Sequence, residues 1–261
     1  MFPTRRIITS GGDVTRDQYS LAFDGSDESV DLASPFQSTF RSSSSISCWF
    51  KANDGRPDSA SQALFGARDG DSRVYFYIEQ GGGDDGKLFC ILDVEGTTIN
   101  AQSNAAVLTD GQQPWKHLVL IIDGAENQIS MYLDGSFVTL DGTNDGDIGS
   151  TDIDDFRSAK NMRVGAARNN DGFALGYVGK ISDWALYNTA LTSSQVVTLY
   201  NDREPYNHKE GIAGGNLVGW FRMGDGIERG AGTTIYDMSA NANNGTMTNM
   251  EATDFTGDAP K

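Results

Sequence analysis

The stretch WKHLVLIIDGAENQISMYLDGSFV, residues 115–138, limits the choice of fold more than any other part of the chain. Apolar and polar residues alternate on both sides of Asp134-Gly135. An Asp-Gly pair tolerates positive φ at both turn positions, which a two-residue β-hairpin demands. A second turn, GAE, joins this hairpin to the apolar run WKHLVLIID. Three short antiparallel strands in succession are therefore expected here.

The same pattern recurs along the chain. YSLAFDG (19–25), SVDL (29–32), SSISCWFKA (44–52), ALFGAR (63–68) and RVYFYIEQ (73–80) all read as strands. So do KLFCILDV (87–94), TTINAQS (97–103), MRVGAA (162–167) and GYVGKISDWALYN (176–188). YSLAFDG and SVDL are expected to pair as a hairpin across residues 26–28. Helical periodicity is confined to TSSQVVTLYND, residues 192–202, where Thr192 and Gln195 have the spacing of a capping box. No repeat of 20–50 residues occurs, so propellers and solenoids are excluded. The expectation is an all-β fold, a two-sheet antiparallel jelly-roll sandwich with one short helix near 192–202.

Charge narrows the function classes. The chain has 261 residues and a formal net charge of -16, with 28 Asp against 8 Glu. Nucleic-acid binding needs an excess of Lys and Arg, and an anionic membrane surface needs the same, so neither is expected as a partner. No run approaches the ~18 apolar residues of a membrane-spanning helix. Asp beside Gly is turn chemistry first, although it also supplies calcium loops. Cys48 and Cys90 both lie in apolar runs and are expected to be buried thiols, with a bridge between strands left open. MFPTRRIITSGGD holds no apolar signal-like core, and its Arg5 and Arg6 suit an arm that meets an acidic partner.

Catalytic patterns are sparse. Glycoside hydrolysis on a jelly roll needs two carboxylates about 5 to 9 Å apart. The nearest strings, Asp93-Val94-Glu95 and Asp152-Ile153-Asp154, read as solvated turn acids. Two histidines, His117 and His208, indicate neither a Ser-His-Asp triad nor a zinc cluster. Trp49, Trp115 and Trp184 sit inside strand patterns and read as core or sheet-face residues, the rival reading being a platform for sugar rings. The chain is not expected to be an enzyme.

The order of segments then carries a resemblance. YSLAFDGSDESVDL, SSSSISCWFKA, ALFGARDGDSRVYFYI, PWKHLVLIIDGAENQISMYLDGS and YVGKISDWALYNTALTSSQV together resemble the laminin-G-like and pentraxin group of the concanavalin A-like superfamily. That resemblance implies the jelly roll and a carbohydrate- or protein-binding role, with calcium in the pentraxin branch. Carried over by position, the calcium ligands are Asp71 and Ser72 in one loop and Asn169, Asn170 and Asp171 in the other. Ala167 and Arg168 depart from the ligand pattern, so the resemblance implies at most one weak calcium ion.

NLVGWFRMGDGIERGAGTTIYDMSANANNGTMTN resembles the opening segment of bacterial or phage laminin-G-like domains, displaced here to the C-terminus. The expected organisation is an N-terminal arm (1–18), a laminin-G-like body (19–202), a connector (203–215), and a segment (216–261) that returns one strand to the same sandwich before a tail. GWFRMGDG with NNGTMTNM is also similar to structural proteins of marine tailed phages. That likeness implies a virion protein, such as a head fibre, capsid decoration or tail-associated module, assembled in the host cytoplasm. Its implied partners are capsid or tail proteins, further copies of itself and host-surface glycans. A free extracellular lectin is the alternative.

Overall fold

The computed structural model describes residues 18–213 and 215–260. The expected N-terminal arm, with Arg5 and Arg6, lies outside them but for Gln18. The chain runs β1 (Ser20–Asp24), β2 (Ser29–Leu32), α1 (Gln37–Phe40), β3 (Ser44–Ala52), β4 (Gln62–Asp69), β5 (Ser72–Ile78), β6 (Leu88–Val94) and β7 (Thr97–Ser103). It continues through β8 (Lys116–Asp123), β9 (Gln128–Leu133), β10 (Ser136–Phe137), β11 (Leu140–Asp145), β12 (Arg163–Val164), β13 (Ala167–Asn169), β14 (Gly172–Ala174) and β15 (Val178–Tyr187). After α2 (Ser193–Tyr200) come β16 (Leu217–Phe221), β17 (Thr234–Ile235), β18 (Gly245–Thr248) and β19 (Phe255–Thr256).

Two antiparallel sheets form the sandwich. The first has the order β10-β9-β8-β3-β15-β1-β19, with β16 also on β15. The second has the order β11-β7-β6-β5-β4-β12-β2-β18-β17. Inward-facing residues of both sheets make one core, including Phe50, Trp184 and Phe221 from the first sheet and Phe65, Phe76 and Leu92 from the second. The strict alternation of β5 places Val74, Phe76 and Ile78 in this core and turns Arg73, Tyr75 and Tyr77 outward. At the Asp134-Gly135 turn both residues hold positive φ (51° and 76°), as the hairpin pattern requires. Cys48 and Cys90 are free and buried, one on each sheet. Burial raises both thiols, that of Cys90 to about 12.

Two expectations need correction. β1 and β2 do not pair with each other: β1 pairs with β15 in the first sheet, β2 with β12 and β18 in the second. Their short loop turns the corner between sheets, each strand pairing on a different layer. The C-terminal segment, expected to return one strand and then trail off, supplies β16 and β19 to the first sheet and β17 and β18 to the second.

The returning strand has a defined place. Along one side of the ten-residue β15 runs β3; the other side is shared end to end. β1 covers Val178 to Ile181, and β16 covers Trp184 to Tyr187. Between them Asp183 sits at positive φ (52°), where the register against β3 shifts. A bulge at this point twists the strand and re-aims its side chains. The last residues are clasped as well. The Asp258 carboxylate accepts hydrogen bonds from Lys51 Nζ (2.8 Å), Lys180 Nζ (2.6 Å) and Trp115 Nε1 (3.1 Å). These three donors hold the acid far below its usual range against the opposing effect of burial.

Candidate functional site

The outer faces of the two sheets differ in kind. On the first sheet, β8 and β15 turn Val119, Ile121, Ala185 and Tyr187 outward beside Trp220 of β16, and α2 with the connector seals them beneath Val196, Leu199 and Ala213. The expected capping box forms: Thr192 Oγ1 accepts from Gln195 N (3.3 Å), and Gln195 Oε1 accepts from Thr192 N (2.8 Å). A buried polar network lies under this cover. Trp220 Nε1 donates to Asp183 Oδ1 (2.6 Å), and His208 Nε2 bonds Asp183 Oδ2 (3.1 Å). With Nε2 donating, His208 Nδ1 accepts from the Tyr187 hydroxyl. His117 bonds Ser47 Oγ through Nε2 (2.9 Å) while Nδ1 has no partner. Burial drives the His117 pKa down to about 3.

Among the described residues the outer face of the second sheet has a smaller cover: the β13–β14 hairpin, whose Ala167 is buried with Ala63, Tyr75 and Tyr77. Tyr75 Oη donates to Arg168 O (2.7 Å), and Arg163 Nη1 donates to Gly172 O (3.2 Å). Three cross-strand rows run across the face. Arg73 stands opposite Asp93, and Asp93 opposite Thr98. Tyr75 stands opposite Ile91, and Ile91 opposite Asn100. Tyr77 stands opposite Phe89, and Phe89 opposite Gln102. The Tyr77 and Phe89 rings stack, with centroids 5.2 Å apart and planes inclined by 18°.

Of the thirteen buried side-chain atoms without a hydrogen-bond partner among the described residues, five lie on this face and eight elsewhere. Arg73 Nε, Asp93 Oδ1, Asn100 Oδ1, Arg163 Nε and Glu79 Oε2 are all shielded from solvent and have no hydrogen-bond partner among the described residues. Arg73 Nε lies 2.8 Å from Asp93 Oδ2, an ion pair by distance whose angle is not that of a hydrogen bond. Burial and the nearby Asp84 push the Glu79 carboxyl up, and burial lowers the Arg163 guanidinium. A buried polar group left unpaired costs ~1–3 kcal/mol, so these atoms lower the stability of this face.

Asp93 has neither Glu79 nor Asp31 at the spacing of a glycoside-hydrolase acid–base pair. Asp93 is buried in β6 beside Arg73, where the sequence pattern had suggested a solvated turn. The strand ends at Val94 as its pattern implies, with the turn at Glu95-Gly96, so Asp93 lies inside the strand and not in the turn. Glu79 lies six residues along β5 from Arg73, the partner of Asp93, which is ~20 Å at the rise of a strand. Asp31 sits four strands away from β6, again ~19 Å. Both separations exceed the ~9.5 Å limit of an acid–base pair. In the other string, Asp152 caps a short 3₁₀ turn, its Oδ1 accepting from Asp154 N (3.0 Å).

The two loops of the implied calcium site do meet. Asn170 Oδ1 accepts from Gly70 N (2.9 Å), and Asn170 N donates to Arg68 O (3.0 Å). The donor set is otherwise spent on protein. Asp171 pairs with Lys160 Nζ (2.5 Å), Ser72 Oγ accepts from Arg157 N (2.9 Å), and Asp69 Oδ2 accepts from Ala159 N (3.1 Å). Asp71 is exposed, and Asn169 Oδ1 meets only the amide of Asn170 (3.5 Å). Arg168, paired with Asp31, brings a positive charge beside the loops. Among the described residues no group of three or more His, Cys, Asp or Glu is arranged to hold a metal. These residues, as arranged, do not fit a divalent cation.

Trp49 and Trp184 are buried, consistent with core roles, whereas Trp115 is half-exposed and holds Asp258. The residues of the open face were not singled out as a site by sequence pattern. Their signal was present in RVYFYIE, whose alternate positions read Arg, Tyr, Tyr, Glu against a wholly apolar inner set.

A two-sheet sandwich with one sealed face and one polar–aromatic face defines a jelly-roll module of lectin type. The match to a laminin G-type family model, described as the concanavalin A-like lectin/glucanases superfamily, spans residues 24–197, and the chain belongs to that superfamily. Similar solved structures include a candidate carbohydrate-binding protein of Bacteroides ovatus, with 17% identity and a TM-score of 0.63 over 94% of this chain and 62% of that one. The CBM40 module of Ruminococcus gnavus IT-sialidase is 14% identical with a TM-score of 0.54, over 71% of this chain and 100% of that one. NanB sialidase of Streptococcus pneumoniae is 20% identical with a TM-score of 0.53, over 71% of this chain and 28% of that one. At these identities the likeness is one of fold. The chain thus spans under two thirds of the Bacteroides protein and a smaller part of NanB. No curated protein matches the sequence.

Proposed function

We propose that this protein is a non-enzymatic glycan-binding module whose site is the open face of the second sheet. The observation that carries the reading is the outer face of β5, β6 and β7, where Thr98 and Asn100 lie in the rows beside the stacked Tyr77–Phe89 pair and Phe89 is partly exposed. Sugars present apolar ring faces and dense hydroxyls, and such a surface offers both complements. Two of the similar structures are of proteins described as carbohydrate-binding, which agrees with the reading. The carboxylate separations given above support binding without hydrolysis.

The setting we propose is a virion, as a head fibre, capsid decoration or tail-associated module. GWFRMGDG and NNGTMTNM, similar to segments of marine tailed-phage structural proteins, support it. In that setting capsid or tail proteins and further copies of the chain are its partners, and host-surface glycans its ligands. Calcium is not required by the site proposed here.

The test is a glycan array probed with the whole protein, repeated with Phe89→Ala. Retention of glycans by the unmodified protein, reduced at least tenfold by the substitution, supports the binding role. A folded protein that retains no glycan rejects it. Capsid and tail genes flanking the coding gene would support the virion setting, and their absence would count against it.

A further inference from the structure

At one edge of the sandwich the chain crosses from the first sheet to the second, between β10 and β11, and a cleft of about 450 Å³ opens beside the crossing. We propose that this cleft is a second glycan-binding site, which seats one neutral pyranose ring against Phe137, apart from the outer face of β5, β6 and β7; the ligand class rests on the glycan-binding reading above.

The wall of the cleft is aromatic and its floor apolar. Of the large apolar side chains that stand exposed among the described residues, Phe137 (56%), Val197 and Ile227, only the first is aromatic. A single exposed apolar side chain needs no explanation by itself, but this one lines a concave space. Tyr132 meets the Phe137 ring edge-to-face, with centroids 5.5 Å apart and planes at 78°. A contact of that kind takes up at most one face of the ring. Val107 and Leu133, half-buried against the core, line the same space. The apolar face of a sugar ring complements such a surface.

The rim is polar and open to water. Asn104, Ser136 and Thr139 line the cleft and are exposed, and none of their side chains makes a hydrogen bond among the described residues. A carboxamide and two hydroxyls both donate and accept, as sugar hydroxyls do. The cleft is also preformed. Asn104 N donates to Thr139 O (2.8 Å), which ties the loop after β7 to the crossing. Ser103 Oγ donates to Ala105 O (2.8 Å), and the amides of Val107 and Leu108 donate to Gly86 O (3.0 and 3.1 Å). A wall held by its own hydrogen bonds has little freedom left to lose when a ligand enters. The volume falls within the ~300–1,000 Å³ of small-ligand sites.

Charge sets the kind of sugar. Among the described residues no ionisable side chain lines the cleft. Asp134, in the turn between Leu133 and Ser136, is taken by Lys116 Nζ (2.7 Å) and His117 N (3.0 Å). A sialylated, uronate-bearing or sulfated ring would find no cation here, and the net charge of -16 would repel it at a distance.

The experiment is an array of neutral, sialylated, uronate-bearing and sulfated glycans, probed with the unmodified protein, Phe137→Ala, Asn104→Ala and Phe89→Ala. Phe137 and Asn104 are exposed, so neither replacement empties the core. Neutral glycans should head the hits, with Phe137→Ala weakening them at least tenfold and Asn104→Ala in the same direction. Loss with Phe137→Ala but not with Phe89→Ala would support the cleft and overturn the outer face as the site. Loss with Phe89→Ala alone would overturn the cleft and leave the outer-face reading standing; loss with each would support both. Hits confined to anionic glycans would overturn the neutral-ligand assignment. Retention of no glycan by the folded protein would overturn both readings. Light scattering completes the test: an oligomer that Phe137→Ala splits into monomers would assign the ring to a contact between copies and overturn the cleft as a glycan site.

Discussion

The outer faces of the two sheets use similar residue types to opposite ends. Under α2, Asp183 is held by Trp220 and His208, and His208 in turn by Tyr187. On the open face Asp93 keeps an unfilled oxygen beside an arginine whose Nε is also unfilled. Both aspartates are more than nine-tenths buried. Burial alone therefore does not say whether a carboxylate is satisfied; the completeness of its hydrogen bonding does. A satisfied network makes a face rigid and closed, while an unsatisfied one lowers stability.

The largest test strikes the sealed side. Asp183→Ala removes the acceptor shared by Trp220 and His208 and leaves both donors buried. Breaking one partner of a buried pair costs ~3–5 kcal/mol, or on the order of 10 °C in Tm for a chain of this size. Asn100→Ala on the open side should cost about 1 kcal/mol or less, because its carboxamide oxygen has no partner to lose. Thermal unfolding of both variants would erase the contrast if the two losses were equal.

Acid should weaken the sealed side first. His117 is neutral in the fold, its pKa depressed by burial to about 3 from the ordinary imidazole value of 6.5. Between those values the unfolded chain binds a proton that the folded chain refuses, so stability falls as pH drops through this window. The slope is at most ~1.4 kcal/mol per pH unit from this group. Asp258, also depressed, adds a loss only below the ordinary carboxylate value of 3.8, as acid begins to protonate its carboxylate. Urea unfolding from pH 8 to pH 4 should show the decline beginning near 6.5, and His117→Gln should flatten it. A flat profile in the unmodified protein would mean that this ring is not shut off from water.

A smaller and local effect is expected at the C-terminal clasp. Asp258→Asn keeps the shape but removes the charge that Lys51 and Lys180 share. Amide exchange in β19 and β1 should speed up while the rest of the sandwich stays protected. Uniform loss of protection would instead show that the clasp governs the whole fold. The smallest effect belongs to calcium. With Asp171 on Lys160 and Ser72 on Arg157, 10 mM calcium against chelator should shift Tm by less than about 1 °C. A one-site ion at ten times its Kd would add ~1.4 kcal/mol, so a rise of several degrees abolished by Asp71→Ala would restore the metal reading.

Strand periodicity, Asp-Gly turns and the Thr192 cap are written within a few residues of one another, and for that reason the sequence alone determined the jelly-roll class, the hairpin at Asp134-Gly135 and the helix at Ser193–Tyr200. Alternation in RVYFYIEQ also determined that Tyr75 and Tyr77 share a face. It could not say whether that face is the covered or the open one, since both outer faces carry aromatics and isolated charges. The tertiary structure decided this by laying α2 and the connector on β8 and β15, and by bringing Asp93 to Arg73 and Asn100 across strand pairings. It also set β16 beside β15, end to end with β1, although the two lie nearly two hundred residues apart. Pairing across such a separation depends on which edge the closed sandwich leaves vacant. That is a property of the assembled layers and of no local stretch of chain.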